Sequence, residues 1–144
     1  MATQNVDPLH EVGNSTKVDH LHGTILTFRC HDCGEAATKQ QFLNKESCPF
    51  CSGKLRPNIV LFGEALPEET WNNALYHIQK ADLVIVIGTS LQVYPVSQLP
   101  SMTKGKTVYI NKEVSEQSSY FNLVIEGSAK ETLVQLDQLL TETK

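Results

Sequence analysis

The strongest constraint on this chain is the placement of its four cysteines. They fall in two pairs, Cys30-His31-Asp32-Cys33 and Cys48-Pro49-Phe50-Cys51, with fourteen residues between the pairs. Two residues between thiolates let a tight turn aim both sulfurs at one centre, and two such turns complete a tetrahedron of Zn–S arms of about 2.3 Å. Cys30, Cys33, Cys48 and Cys51 are therefore the expected zinc ligands. The site supplies four protein ligands and keeps no open position, so the ion is structural rather than catalytic. The alternative is a pair of disulfides. The chain opens Met1-Ala2-Thr3-Gln4-Asn5, which is no secretion signal, and a reducing cytosol keeps thiols free. Zinc binding to such a site is worth roughly 10–16 kcal/mol in peptides, enough to fold a module with little core. Gly34, Ser52 and Gly53 suit the turns around the sulfurs. A small zinc ribbon is expected over residues 24–55, inserted in a larger domain made of residues 1–23 and 56–144.

After the ribbon the chain alternates helix-like and strand-like segments. Pro67-Glu68-Glu69 is a helix-start signal, and Trp71, Ala74, Leu75 and Ile78 recur on one helical face. Residues 82–88, Asp-Leu-Val-Ile-Val-Ile-Gly, read as a central parallel strand, apolar on both faces. Residues 107–110 and 122–125 are two further strands. Residues 95–103 read as a helix interrupted by Pro100. The last helix opens on Ser128-Ala129-Lys130-Glu131, a capping-box pattern, with Leu133, Leu136 and Leu140 as its buried stripe and residues 141–144 frayed. This alternation predicts an α/β fold: a partial doubly wound, Rossmann-like parallel sheet carrying the ribbon.

Ligands of such sheets bind at the carboxyl ends of the strands. Those ends carry Gly88-Thr89-Ser90, Asn111-Lys112-Glu113 and Gly127-Ser128-Ala129. Small residues let backbone approach a ligand, hydroxyls suit phosphate, and Asn or Glu suits ribose. Each is equally a plain turn or cap when read alone; three on one rim point to a nucleotide crevice. Neither G-x-G-x-x-G nor G-x-x-x-x-G-K-[ST] occurs, so the usual pyrophosphate loops are not among these residues. The polar cluster Thr3-Gln4-Asn5-Val6-Asp7 is of a kind that terminates a strand, yet almost nothing precedes it here.

Charge and hydropathy narrow the partners. Twelve Lys and Arg against sixteen Asp and Glu give a net charge of −4, which disfavours a diffuse phosphate-binding surface. Between the cysteine pairs only Lys39 and Lys45 are basic, against Glu35 and Glu46, so a ribbon reading nucleic acid is a poor fit. The longest apolar run, residues 83–87, is far short of the roughly 20 a membrane helix needs. No direct nucleic-acid partner and no membrane are expected, and a cytoplasmic location, or a nuclear one in a eukaryote, is the default.

Taken together, the motifs resemble the catalytic domain of sirtuins, the NAD-dependent protein deacylases. Thr3-Gln4-Asn5-Val6-Asp7-Pro8-Leu9-His10 is similar to T-Q-N-[IV]-D-x-L-H. Residues 18–23 resemble [VI]-x-E-L-H-G, and residues 55–64 resemble L-R-P-x-[VI]-V-x-F-G-E. Gly88-Thr89-Ser90-Leu91-Gln92-Val93-Tyr94-Pro95 and Ile110-Asn111-Lys112-Glu113 are similar to G-T-S-L-x-V-x-P and I-N-x-E. With the cysteine pairs these motifs follow in the family's order over nearly the whole chain.

The resemblance implies NAD as cosubstrate, structural zinc, and an acyl-lysine protein or peptide as partner, with deacetylation the default. It implies that His22 is the catalytic histidine, acting as general base on a ribose hydroxyl while the acyl oxygen attacks C1′ and nicotinamide leaves. It places Asn5 and Asp7 at the nicotinamide pocket and Gln4 at the nicotinamide ribose. It assigns Gly88, Thr89 and Ser90 to the phosphates and adenosine ribose, Asn111 and Glu113 to that ribose, and the Ala129 backbone to adenine. Val60, Phe62 and Gly63 match the segment that pairs with the substrate backbone. His20 stands where the family has Glu and brings positive charge beside His22. Pro8 replaces a common Gly and stiffens its turn. The family's glycine-rich loop, its cofactor loop and several central strands have no counterpart in these residues. The expectation is therefore a partial NAD site, little or no activity of the chain alone, and exposed apolar sheet edges. The remaining alternative is a non-catalytic, zinc-stabilised module that binds a partner or peptide.

Overall fold

A computed structural model describes residues 1–114 and 116–142. The chain divides into two compact units, Met1–Ala74 and Leu75–Lys144.

In the first unit, β1 (Ala2–Thr3) pairs in parallel with β2 (Asp19–His20), with Ala2 opposite Asp19 and Thr3 opposite His20. Thr3, the first residue of the polar cluster, is thus the last residue of a two-residue strand. Helix α1 (Leu9–Val12) lies between them, and the Asp7 carboxylate accepts from the Leu9 N–H at 3.1 Å. The long strand β3 (Gly23–Cys30) then pairs antiparallel with β4 (Ala36–Ala37) on one side and β5 (Leu55–Ile59) on the other. Edge position explains how β5 tolerates Pro57, which has no N–H to give a second neighbour. Helix α2 (Lys39–Leu43) starts with a full capping box: Thr38 Oγ1 accepts from the Gln41 N–H, and the Gln41 side chain accepts from the Thr38 N–H. Phe42 on α2 stacks on Phe28 of β3 at 4.8 Å between ring centres. The pairing of β3 with β5 runs from Cys30 opposite Leu55 to Gly23 opposite Ile59, so the ribbon's sheet extends past residue 55.

Helix α3 (Glu68–Lys80) keeps Trp71, Ala74, Leu75 and Ile78 on its less exposed face. In the second unit β6 (Leu83–Ile87), β7 (Lys106–Asn111) and β8 (Leu123–Glu126) form a parallel sheet in the order β6-β7-β8. The central strand is β7, with Tyr109 and Ile110 fully buried, and Leu91, Tyr109 and Phe121 form the core with Val86 and Val124 packed against them. The expected central strand, β6, is instead an edge, and Leu83, Ile85 and Ile87 are 40–51% exposed. Its composition is that of a strand covered on both sides, but among the described residues one face stays open. The expected helix at 95–103 is a 3-10 helix, Val96–Met102, because Pro100 cannot donate the i→i−4 bond of an α-helix.

Helix α4 (Ala129–Glu142) closes the chain. Its stripe is not buried: Leu133, Leu136 and Leu140 are each at least 37% exposed. The heptad-like spacing is real, but the face it marks is uncovered here. Thr141 and Glu142 continue the helix; the fraying expected for Thr143 and Lys144 lies outside the described residues. Among the described residues, the open faces of β6 and α4 are exposed apolar surface. No described helix is long and apolar enough to cross a membrane.

Candidate functional site

The four cysteine sulfurs lie within 4.8 Å of one another, and no disulfide joins them. Cys30 Sγ is 3.4 Å from Cys51 Sγ, and Cys33 Sγ is 3.6 Å from Cys48 Sγ. A disulfide would bring sulfurs to about 2.05 Å, whereas a tetrahedron with arms of about 2.3 Å has edges of about 3.8 Å. The cluster therefore fits a zinc ion. Cys30 and Cys48 sit inside the module and Cys33 and Cys51 at its surface. Gly34 and Ser52 both take positive φ, +77° and +62°, in the two knuckles. Gly53 is required by space: a Cβ there would stand 2.9 Å from the Cys30 sulfur and 2.3 Å from an Asp32 carboxylate oxygen. The Cys33 N–H draws the Cys30 thiol down to about 7. The Gly53 N–H draws Cys51 the same way, but the sulfurs of Cys33 and Cys30 outweigh it and push Cys51 up to about 12. Four thiolates at this spacing repel one another, and a divalent cation among them removes the conflict.

The turn that carries His22 is built on β2 and β3. The Leu21 N–H donates to the Thr3 carbonyl, and Leu21 is fully buried beneath the turn. His22 itself is half-buried. The Val60 N–H donates to the His22 carbonyl at 2.9 Å, directly after the Gly23–Ile59 pair. Gly23, at φ +73°, makes this approach: a Cβ on it would fall 1.9 Å from the Asn58 carbonyl oxygen. His22 and the start of residues 60–63 are thus locked together by backbone alone.

Residues 60–63 leave the sheet as a loop with its side chains outward. Phe62 is fully exposed, Leu61 is half exposed, and Gly63 turns the chain at φ +85°. The loop is held by Arg56, which forms a bidentate pair with Glu64 through Nη1–Oε1 and Nη2–Oε2 and also donates to the Ile59 carbonyl at 2.8 Å. Glu64 in turn accepts from the Leu61 N–H at 2.9 Å. The Arg56 guanidinium, aided by that amide, holds the Glu64 carboxyl down at about 2. Arg56 and Glu64 were not singled out from sequence, although both lie in the quoted L-R-P…F-G-E segment.

Gln4, Asn5 and Asp7 lie on the loop between β1 and α1. The Asn5 N–H donates to Thr3 Oγ1 at 3.1 Å, and the Val6 carbonyl accepts from Ile25 at 3.0 Å. Asn5 is exposed; Gln4 and Asp7 are half-buried. Beside them an open cleft of about 750 Å³ is lined by His20, Gly23, Arg29, His31, Val60 and Glu64 among others.

In the second unit the strand ends do gather on one rim. The Gly88 N–H donates to Ile110, and the Gly127 N–H donates to Asn111. The Thr89 carbonyl accepts from the Tyr109 hydroxyl at 2.6 Å and from Asn111 Nδ2 at 3.1 Å, while Asn111 Nδ2 also reaches Tyr109 Oη at 2.7 Å. Asn111 is therefore occupied in bracing the Gly88-Thr89-Ser90 turn. Tyr109, missed from sequence, is the buried post of that brace; as one aromatic in a strand it carried no signal beyond core packing. Ser90 and Glu113 are exposed on the rim, and Ala129 begins α4.

Residues 1–95 match the family model described as the Sir2 family. The chain is 40% identical over 153 residues to the NAD-dependent protein deacylase Sir2 of Mycolicibacterium smegmatis, covering 99% of this chain and 63% of that protein. It is 40% identical over 146 residues to the NAD-dependent protein deacetylase 1 of Geobacillus kaustophilus, covering 99% and 60%. A solved structure described as a Sir2–p53 peptide–NAD+ complex superposes with a TM-score of 0.87 at 33% identity, covering 95% of this chain and 61% of that one. A second, from a study of the mechanism and regulation of Sir2 enzymes, gives 0.90 at 31% identity, covering 99% and 62%. The chain thus spans about three fifths of the length of these relatives. The motif order read from the sequence, the cysteine cluster and this family match agree: the chain belongs to the Sir2 family.

Proposed function

We propose that these residues form the histidine-bearing, zinc-stapled part of an NAD-dependent protein lysine deacylase, with acetyl-lysine as the default substrate. The observation that carries the reading is the backbone lock between His22 and Val60. It fixes the backbone of His22 to the strand end that would receive a peptide. In this role residues 60–63 add the substrate backbone as an extra strand, with Val60, Phe62 and Gly63 along it. Asn5 and Asp7 orient the leaving nicotinamide and Gln4 its ribose. Gly88, Thr89, Ser90, Asn111, Glu113 and the Ala129 backbone hold the adenosine side. Cys30, Cys33, Cys48 and Cys51 hold zinc, which supplies rigidity to the sheet behind residues 60–63 and no chemistry.

Similarity to deacylases and to peptide and NAD complexes supports this reading. A second reading, a peptide-binding module without turnover, is favoured by the fully exposed Phe62. An acetyl-lysine peptide, NAD and a nicotinamide-release assay separate the two. The 144 residues alone are expected to bind peptide with little or no release, and a longer protein carrying them to release nicotinamide. Binding without release in that longer protein would leave only the module.

A further inference from the structure

His20 makes two contacts that together require one protonation state. Its Nδ1 lies 2.9 Å from the Asn5 carbonyl oxygen, and its Nε2 lies 2.7 Å from Glu11 Oε1. A carbonyl and a carboxylate only accept hydrogen bonds, and a neutral imidazole carries a single N–H. Only the imidazolium donates to both. The His20 side chain is 17% exposed, which limits how readily water replaces either partner.

The surroundings favour that cation. Burial opposes the charge on His20, but the hydrogen bonds to Glu11 and Asn5 and the nearby charges of Glu11 and Asp7 outweigh it, and the pKa rises above the ordinary 6.5. Glu11 is lowered in turn, chiefly by its bond to His20. From α1, Glu11 and His10 face this region, and from the preceding loop Asp7; Arg29, His31 and Glu64 share the cleft that His20 lines.

We propose that His20 is a positioning residue for residues 4–7: as an imidazolium it ties the Asn5 backbone to Glu11 on α1, and loss of its proton breaks one of the two ties. The same loop is also held by the Asn5 N–H on Thr3 Oγ1, the Ile25 N–H on the Val6 carbonyl and the Leu9 N–H on the Asp7 carboxylate. Its functional meaning rests on the reading that Asn5 and Asp7 line the nicotinamide pocket. The tie is complete below the ordinary histidine pKa and is lost as pH rises through the raised one. Nicotinamide and NAD handling should therefore weaken on the alkaline side in a way set by His20 and not by His22.

The test is NMR of the zinc-loaded, nitrogen-15-labelled chain across pH. His20 is expected to keep both ring nitrogens protonated above the ordinary histidine value of 6.5, and the amides of residues 4–7 to inflect at the His20 midpoint. Glu11→Gln, at an exposed position, should lower that midpoint, and His20→Gln should abolish the inflection. A His20 midpoint at or below 6.5, or an inflection that survives in His20→Gln, overturns the proposal. Should His20→Gln fail to fold, an unshifted midpoint in Glu11→Gln overturns it instead. Nicotinamide is then added to the same sample. Shifts at residues 4–7 that weaken above the His20 midpoint support the positioning role. A correct titration with no response to nicotinamide keeps the tie and refutes the pocket assignment.

Discussion

The Val60 N–H donates to the carbonyl of His22 across 2.9 Å, and this one bond makes the histidine turn and the loop at residues 60–63 a single mechanical piece. It stands at the end of the β3–β5 ladder, whose other end is Cys30 opposite Leu55. A ladder of two strands thus runs from a candidate metal ligand to the proposed catalytic residue. In such an arrangement a zinc ion would fix one end of a sheet whose other end carries His22 and the loop proposed to receive a peptide.

Gly23→Ala tests that junction. The added Cβ meets the Asn58 carbonyl in a backbone conformation that costs a non-glycine residue roughly 1–3 kcal/mol by itself. The variant should melt several degrees lower and lose peptide binding more than tenfold. Peptide titration followed by calorimetry reads both, and unchanged affinity would show that the approach of the two strands is not needed.

Cys33→Ser removes a surface ligand without touching the buried sulfurs. Zinc content should fall from one ion per chain to little or none, and amide protection should be lost over residues 30–55. Metal analysis after gel filtration checks it. One tightly held ion in the variant would contradict the four-cysteine site.

The Arg56–Glu64 pair predicts a pH dependence with a definite sign. Glu64 is held at about 2 against an ordinary 4.5, so its contribution to stability is present above about 4.5 and is lost as pH falls toward 2. Glu64→Gln should therefore differ from the parent near neutrality and converge with it in acid. Melting temperatures of both proteins from pH 3 to 7 measure the gap; a constant gap would rule out the pair as its source. Peptide affinity of Glu64→Gln should also drop, because the Leu61 N–H loses its carboxylate partner.

Tyr109→Phe probes the brace under the strand ends. Deleting the hydroxyl removes its bond to the Thr89 carbonyl and one partner of Asn111, at a cost of about 1–2 kcal/mol for buried groups. ADP-ribose binding should weaken several-fold while zinc content is unchanged. Isothermal titration with ADP-ribose is the measurement, and full affinity in the variant would dissociate Tyr109 from the nucleotide rim.

Much of this was legible in the residues because local chemistry dictated it. The cysteine spacing anticipates the sulfur cluster, and β-branched runs anticipate β6, β7 and β8 to within a residue or so. What was not legible depends on partners distant in sequence. The composition of β6 is that of a covered strand, yet it lies at an edge, because periodicity reports what a strand is suited to and not what lies beside it. Leu133, Leu136 and Leu140 mark a face of α4 in the same way without anything here covering it. Arg56 and Glu64 are eight residues apart, and nothing local says that they meet. His20 looked like added charge beside His22; its partners, Asn5 and Glu11, emerge only once β1 and β2 are paired.

The central claim is that His22 moves a proton in an NAD-dependent acyl transfer. Nicotinamide release from NAD with an acetyl-lysine peptide, compared between His22 and His22→Ala in the longest natural protein carrying these residues, tests it most directly. The account predicts release falling to background in the variant with zinc content and melting temperature retained. Release undiminished by the substitution would contradict it.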